Sequence, residues 1–291
     1  MDAISHQSVA VSTDNQSHDF KPGFLKVLSL LRRKGRVDSP LWQWLLSRYY
    51  PRYKVLQAES FYTALIGSAA ARAPTQTLEY YRRELAACIP LRAAHRARYG
   101  EAPDQRIVND AFIAFYYAMV RETRPAAIVE TGTATGAMTA LMLAAMEQNN
   151  HGTLYSIDLA PRAGALTMHT TVPTEQVGCL IPEEFRHRWR LEVGDAKLLL
   201  PRVLIEADAD IFIHDSLHTR SHMSFEFAAA RALMRADTVI ASDDALWNRA
   251  WMDFIHTHNL TSYACVRNPN VCVTVNKFDD YEKAQGIGIQ S

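Results

Sequence analysis

Apolar positions along the chain fall into two regimes. From about Phe24 to Glu122 they recur at helical spacing. Leu25, Leu28, Leu30 and Leu31 form one group, and Leu41, Trp42, Trp44, Leu45 and Leu46 a second. A third runs from Leu78 to about Ala97, with Pro90 as a break or kink. A fourth spans Val108 to Val120 through Ala111, Phe112, Phe115, Tyr116 and Met119, set off from the third by Gly100 and Pro103. From Ala126 the pattern changes. Short apolar runs, AAIVET, TLYSID, RWRLEVGD, ADIFIHD and TVIASDD, predict five strands. Helix-prone stretches lie among them, AMTALMLAAMEQ after the first run, SHMSFEFAAARALM after the fourth and WNRAWMDFIHTH after the fifth. SYACVRN and VCVTVNK then predict a hairpin about Asn268-Pro269-Asn270. Strand–helix alternation of this kind predicts a doubly wound α/β fold: seven strands, mostly parallel, covered on both faces, with the antiparallel hairpin at the C-terminal end.

Three segments follow from this pattern. Residues 1–20 are polar and aperiodic and are expected to be a flexible tail. Residues 21–122 are expected to be a helical region, residues 123–291 the α/β domain. The aromatic cluster Trp42, Trp44, Tyr49, Tyr50 and Tyr53 has two readings, helix-packing core or a lid and dimer contact.

Composition narrows the class. A 48% apolar and 21% charged chain of 291 residues is a folded protein. Its 31 basic and 31 acidic residues give zero net charge, which argues against a polyanion binder, so no nucleic-acid partner is expected. The N-terminal stretch lacks Lys, Arg and an apolar h-region, and no run reaches the ~18–20 apolar residues of a membrane helix. A cytoplasmic protein without a membrane partner is expected. Cys88, Cys179, Cys265 and Cys272 form no C-x-x-C pair; Cys265 and Cys272 are expected as buried thiols although a hairpin could face them.

Ligands of open α/β sheets bind beyond the carboxyl ends of the strands. The first strand ends in Glu130-Thr131-Gly132-Thr133-Ala134-Thr135-Gly136 and leads into a helix. Glycines allow a tight turn, and free N–H groups at a helix start favour an anionic group. The loop is not G-x-G-x-x-G, so the dinucleotide fingerprint is unmet. Asp158 ends the second strand, where it either accepts bonds from vicinal ribose hydroxyls or caps a turn. Asp195 and Ala196 follow the third, where the carboxylate either meets a base edge or caps the next helix. The fourth ends in His214-Asp215-Ser216-Leu217-His218 and the fifth in Ser242-Asp243-Asp244. Asp215, Asp243 and Asp244 thus reach the tips of neighbouring strands. Their mutual repulsion is resolved by a hard divalent cation, Mg²⁺ or Mn²⁺, unless Asp243 or Asp244 merely caps a helix. His218 stands where it can accept a proton. His214, His218 and His222 are spaced like a helical zinc face, but His214 is expected in a strand, which breaks that geometry.

VETGTATG, YSID, VGDA, IFIHDSLH and VIASDDALWN, in this order, resemble class I S-adenosylmethionine-dependent methyltransferases. Within that class they are most similar to the metal-dependent O-methyltransferases of the catechol, caffeoyl-CoA and macrolide-sugar types. The resemblance covers roughly Arg121 to Lys277. It implies a Rossmann-like fold and S-adenosylmethionine as cofactor. Glu130, Thr131, Gly132 and Gly136 would hold its methionine part, Asp158 its ribose, and Asp195 and Ala196 its adenine. Asp215, Asp243 and Asp244 would hold Mg²⁺ (or Mn²⁺). His218 stands where the catechol-type enzymes carry Lys and would be the catalytic base. Trp247 would line the acceptor pocket. Ala134 departs from the middle glycine of many class members. The segment Ala160 to His187 matches no motif of the family.

The implied reaction is methyl transfer to a hydroxyl of a small molecule with vicinal oxygens, a catechol or a sugar diol, in natural-product biosynthesis. The 21–122 region is expected to act as lid and as the contact of a homodimer. Three alternatives share the sequence features: N-methylation, a non-methylating cyclase using the same cofactor, and a degenerate methyltransferase-like assembly module.

Overall fold

The computed structural model describes Arg48 and residues 50–100, 113–159, 172, 174–266 and 268–276. The expectations for the N-terminal tail, for the groups around Leu25–Leu46 and for most of the early part of the Ala160–His187 segment lie outside these residues.

Among the described residues, eight strands and eight α-helices run in the order β1 (Tyr53–Leu56), α1 (Ala58–Ala70), α2 (Leu78–Ala86), α3 (Ile89–Tyr99), α4 (Ile113–Thr123), β2 (Ala127–Thr131), α5 (Ala137–Asn149), β3 (Thr153–Asp158), β4 (Trp189–Val193), α6 (Ala196–Ala207), β5 (Ile211–His214), α7 (Arg220–Leu233), β6 (Val239–Ser242), α8 (Ala250–Thr257), β7 (Ser262–Cys265) and β8 (Asn268–Val275). They form one sheet of order β1-β7-β8-β6-β5-β2-β3-β4. The central strands β2, β5 and β6 are buried along their whole length. Their Ile, Val and Phe side chains suit a surface covered on both faces.

The seven expected strands are present, and an eighth joins them. Tyr53–Leu56, in the region read as helical, pairs in parallel with β7 at the sheet edge. Tyr53 is buried there, its hydroxyl 3.1 Å from Cys272 Sγ. This member of the aromatic cluster therefore packs from a strand rather than from a helix. The stretch from Leu78 onward does divide before Pro90, which sits in the first turn of α3 where its missing N–H has no helical acceptor to lose. β8 already begins at Asn268, and the register slips between Ala264 and Cys265, so Asn268-Pro269-Asn270 belongs to an irregular strand start. Cys265 and Cys272 are buried free thiols.

Two cores flank the sheet. On one face α1, α2, α4 and α5 bury Phe61, Leu65, Tyr81, Phe115, Leu141 and Met142. On the other, α6, α7 and α8 bury Leu200, Val203, Phe227, Trp251 and Phe254. The helices thereby aim the carboxyl ends of β2, β3, β4, β5 and β6 at one edge of the molecule. No helix among the described residues is long and apolar enough to cross a membrane.

Candidate active site

The loop after β2 is shaped by two close approaches. Gly132 has φ +84°, and a Cβ there would lie 2.0 Å from the carbonyl oxygen of Asp215. Only glycine accepts both the left-handed backbone and that contact. Gly136, at φ +79°, caps the start of α5, and its Cβ would meet Gly178 Cα at 2.9 Å. The Gly178–Ile181 stretch backs the loop, Gly178 N–H donating to Ala134 O and Leu180 N–H to Thr135 O, both at 2.9 Å. Arg186 holds this backing by donating to Gly178 O at 2.8 Å while stacking over Trp189. Residues 178–186, from the described end of the segment that matches no motif, thus back this loop.

Asp158 lies under the same loop. Its Oδ2 accepts from the Thr133 and Ala134 N–H groups, each at 2.9 Å. Glu130 and Thr131 make buried hydrogen bonds beside it. Glu130 is 3% exposed and accepts from Thr139 and Ser156 hydroxyls at 2.6 Å, tying β2 to α5 and β3. Burial raises its carboxyl to about 7 against the pull of those two bonds. The Thr131 hydroxyl donates at 2.8 Å to Glu226. Asp195 serves as the cap of α6, Oδ1 accepting from Lys197 N–H at 2.9 Å, with Ala196 buried beside it. Of its two readings, the side chain therefore satisfies the helix cap.

β5 and β6 are neighbours in register, His214 opposite Ser242. Their tips bring Asp215 and Asp243 into carboxyl–carboxyl hydrogen-bond contact. Burial and then the Asp243, Glu130 and Asp244 charges push Asp215 well above the usual carboxylate range. Asp243 is raised too, by burial first, while the Asp244 N–H bond works the other way. Two acids held this close share a proton or a cation. Asp244 sits at φ +45° in the turn that runs to Trp247, where Trp247 N–H donates to Asp244 O. No group of three His, Cys, Asp or Glu among the described residues is arranged around one metal position. Of the three expected ligands, the structure brings Asp215 and Asp243 together, with the Asp244 charge and N–H beside them.

His218 Nε2 lies 3.8 Å from Asp215 Oδ1, and its ring stands edge-on to His214 at 5.2 Å and 6.2 Å from the half-exposed Trp247. Asn248 fixes this corner, donating to His218 O at 3.1 Å and accepting from Ala250 N–H at the start of α8. His214, His218 and His222 are not a ligand set. His214 and His222 both bond Glu226. Tyr116 was not foreseen at this site. Its phenol, on buried α4, is raised by burial and then by the Asp243 and Asp215 charges. A small cleft lined by Phe61, Leu65, Phe115, Tyr116, Met119, Val271 and Val273 lies beside it.

Residues 129–245 match the model of a family described as a methyltransferase domain. The match spans β2 to the turn after β6, the loops just described. Over this part of its length the chain is similar to methyltransferase domains. No curated protein matches the chain. Among solved structures, a Podospora anserina methyltransferase bound to SAH is similar at 12% identity and a TM-score of 0.48, over 69% of this chain and 94% of that one. The mycinamycin-pathway methyltransferase MycE, in complex with Mg and SAH, is similar at 16% identity and a TM-score of 0.41, over 69% of this chain and 57% of that one. The O-methyltransferase TomG from Streptomyces achromogenes, in complex with SAM, is similar at 14% identity and a TM-score of 0.43, over 77% of this chain and all of that one.

Proposed function

We propose that the protein transfers a methyl group from S-adenosylmethionine to a hydroxyl oxygen of a small molecule bearing vicinal oxygens. The observation that carries this reading is the contact of the Asp215 and Asp243 carboxyls beside His218. A methyltransferase that only positions an amine has no need for two repelling acids at the acceptor end of the site. They form the oxygen-donor pair that a divalent cation such as Mg²⁺ neutralises, with Asp244 adding charge. When bound, such a cation lowers the pKa of an acceptor hydroxyl.

The chain's own residues account for the rest. The turn from Thr131 to Gly136 presents its backbone to the methionine part of the cofactor. Asp158, below the loop, is placed for the ribose hydroxyls, and the Asp195-Ala196 corner for the adenine. His218 takes the acceptor's proton, its ring held between His214, Asp215 and Trp247. Trp247, 50% exposed, gives the acceptor a flat apolar wall. Most of the rate gain comes from holding the oxygen in line with the sulfonium methyl. We take the region before β2 to form the lid and a homodimer contact, and the protein to act in the cytoplasm on a small molecule in natural-product biosynthesis, without a nucleic-acid or membrane partner.

The test incubates purified protein with S-adenosylmethionine, Mg²⁺ and a panel of catechols and sugar diols, and follows product mass. The expected result is a gain of one methyl group that EDTA abolishes. Absence of cofactor binding in calorimetry refutes the class of reaction, and full turnover in EDTA refutes the metal's part in it.

A further inference from the structure

Glu226 has no place in the chemistry above, yet it is the most fully engaged carboxylate near the site. It is 0% exposed, in the middle of α7. Oε2 accepts from Thr131 Oγ1 at 2.8 Å and pairs with His214 Nδ1 at 2.5 Å. Oε1 accepts from Ser216 Oγ at 2.9 Å and pairs with His222 Nε2 at 2.8 Å. Of these four partners, His222 is on α7 itself, one helical turn away. The other three belong to the site. Thr131 is the last residue of β2 before the glycine turn, and His214 and Ser216 flank Asp215 on either side.

The two segments that Glu226 joins are also in direct contact. Asp215 N–H donates to Thr131 O at 2.9 Å, and the Asp215 carbonyl occupies the space a Gly132 side chain would need. Thr131, His214 and Ser216 each turn inward to one carboxylate, which leaves the backbone of the turn and the Asp215 side chain to face the ligands. A buried ion that attracts four donors from three chain segments is costly unless every bond is made, so the arrangement has one low-energy geometry. Burial acts to raise the Glu226 carboxyl, but His214 and His222 outweigh it and hold it at about 2, so the anion persists throughout the working pH range.

We propose that Glu226 is a positioning residue for the cofactor site, clamping the root of the glycine turn at Thr131 to the Asp215 segment through His214 and Ser216. This rests on the S-adenosylmethionine reading of the turn. Glu226→Gln keeps the shape but puts an NH₂ group against donors, so at least one side of the clamp opens. Thr131→Val removes one bond without changing volume and serves where the Gln variant folds poorly.

The test measures S-adenosylhomocysteine affinity by calorimetry for the wild type, Glu226→Gln, Thr131→Val and, as a control, Glu122→Gln. Glu122 is a second buried carboxylate, at the far end of the sheet on α4. Nitrogen-15 spectra of the imidazoles report the His214 and His222 bonds independently of any ligand. The expected result is about a tenfold weaker affinity for Glu226→Gln and about threefold for Thr131→Val, the scale of a site loosened by a fraction of an ångström. Both imidazole signals should shift in Glu226→Gln, and Glu122→Gln should bind as tightly as the wild type. Unchanged affinity in both clamp variants, or an equal loss in Glu122→Gln, overturns the proposal. A wild type that binds no S-adenosylhomocysteine fails instead at the cofactor reading, and the clamp's function fails with it.

Discussion

Glu122 offers the sharpest test of how the N-terminal helices are held to the sheet. It lies in the last turn of α4, is buried, and draws donors from α1, α2 and the turn between them. Oε1 accepts from Thr75 N–H and Oγ1 at 2.8 Å, Gln76 N–H at 3.0 Å, Tyr81 Oη at 2.9 Å and Tyr62 Oη at 3.2 Å. Oε2 accepts from Arg72 Nη1 at 2.8 Å. Glu122→Gln preserves volume and one acceptor oxygen. Whichever way the amide turns, its NH₂ faces donors, either Arg72 or the Thr75 group. A bond to a charged group contributes ~1.5–3 kcal/mol, and a buried donor left facing a donor costs ~1–3 kcal/mol. Arg72 is 41% exposed, so its Coulomb part is screened and the lower ends of these ranges apply. The expected loss is about 2.5 kcal/mol at neutral pH, or roughly 4–6 °C in melting temperature.

The pH dependence supplies the refutation. Burial alone would raise the Glu122 carboxyl, but the bonds from Arg72, Thr75, Tyr81 and Gln76 outweigh it and hold it at about 2, against an ordinary 4.5. A carboxylate with a depressed folded-state pKa stabilises above its unfolded pKa, and the contribution is lost as pH falls from 4.5 towards 2. Circular dichroism melts of wild type and variant should therefore converge over that window. Equal melting temperatures at pH 7, or a gap that stays constant on acidification, would show that the Glu122 charge does not tie α4 to the α1–α2 turn.

Three further outcomes bear on the site. Gly132→Ala should weaken S-adenosylhomocysteine binding at least about tenfold and lower the melting temperature, because its Cβ would displace the Asp215 carbonyl and carry ~1–2 kcal/mol of left-handed strain; wild-type calorimetry would contradict the close approach. His218→Ala should lower kcat by about 10²-fold or more while the cofactor KM moves little, with partial recovery at high pH; an unchanged kcat removes His218 as the base. Asp243→Asn, measured without divalent cation, should raise stability by about 1 kcal/mol by ending the contact with Asp215, and should abolish chelator-sensitive methylation. Raised carboxyls cost stability as pH rises above their unfolded values, so the gain should grow from pH 4 upward; a destabilised variant would mean that the pair is held by its shared proton rather than strained by charge.

Strands β2 to β6 were legible because each is an apolar run ended abruptly by an acid, and in a parallel sheet that boundary is where ligands bind. Asp158, Asp195, Asp215 and Asp243 could be placed at strand tips on this signal alone. Their environments could not, since these are set by donors far away in the chain: the Thr133 and Ala134 amides for Asp158, the opposing carboxyl for Asp215. β1 escaped notice because its four residues follow an aromatic stretch that reads equally well as a helix. The Gly178 backing carries no periodicity, and it is defined only by the backbone it meets.

Glu226 and Glu122 show most clearly what separates a local pattern from a fold. A carboxylate inside a helix ordinarily marks the solvated face, and nothing within a turn of Glu122 says otherwise. For Glu226 one signal was present. It lies three residues after Met223 and four before Ala230, both buried, so helical periodicity puts it on the apolar stripe of α7. His222, four residues before it, is the first hint of a partner. An ion on that stripe must be matched by donors from the sheet, and the strand it faces, β5, ends in His214. The same residue type thus plays opposite parts at one sheet edge. Where donors converge, as on Glu226, the carboxylate is a fixed anion and sets geometry. Where a second acid arrives instead, as at Asp215 and Asp243, both carboxyls are raised, and on the proposed reading a bound cation would compensate their charge.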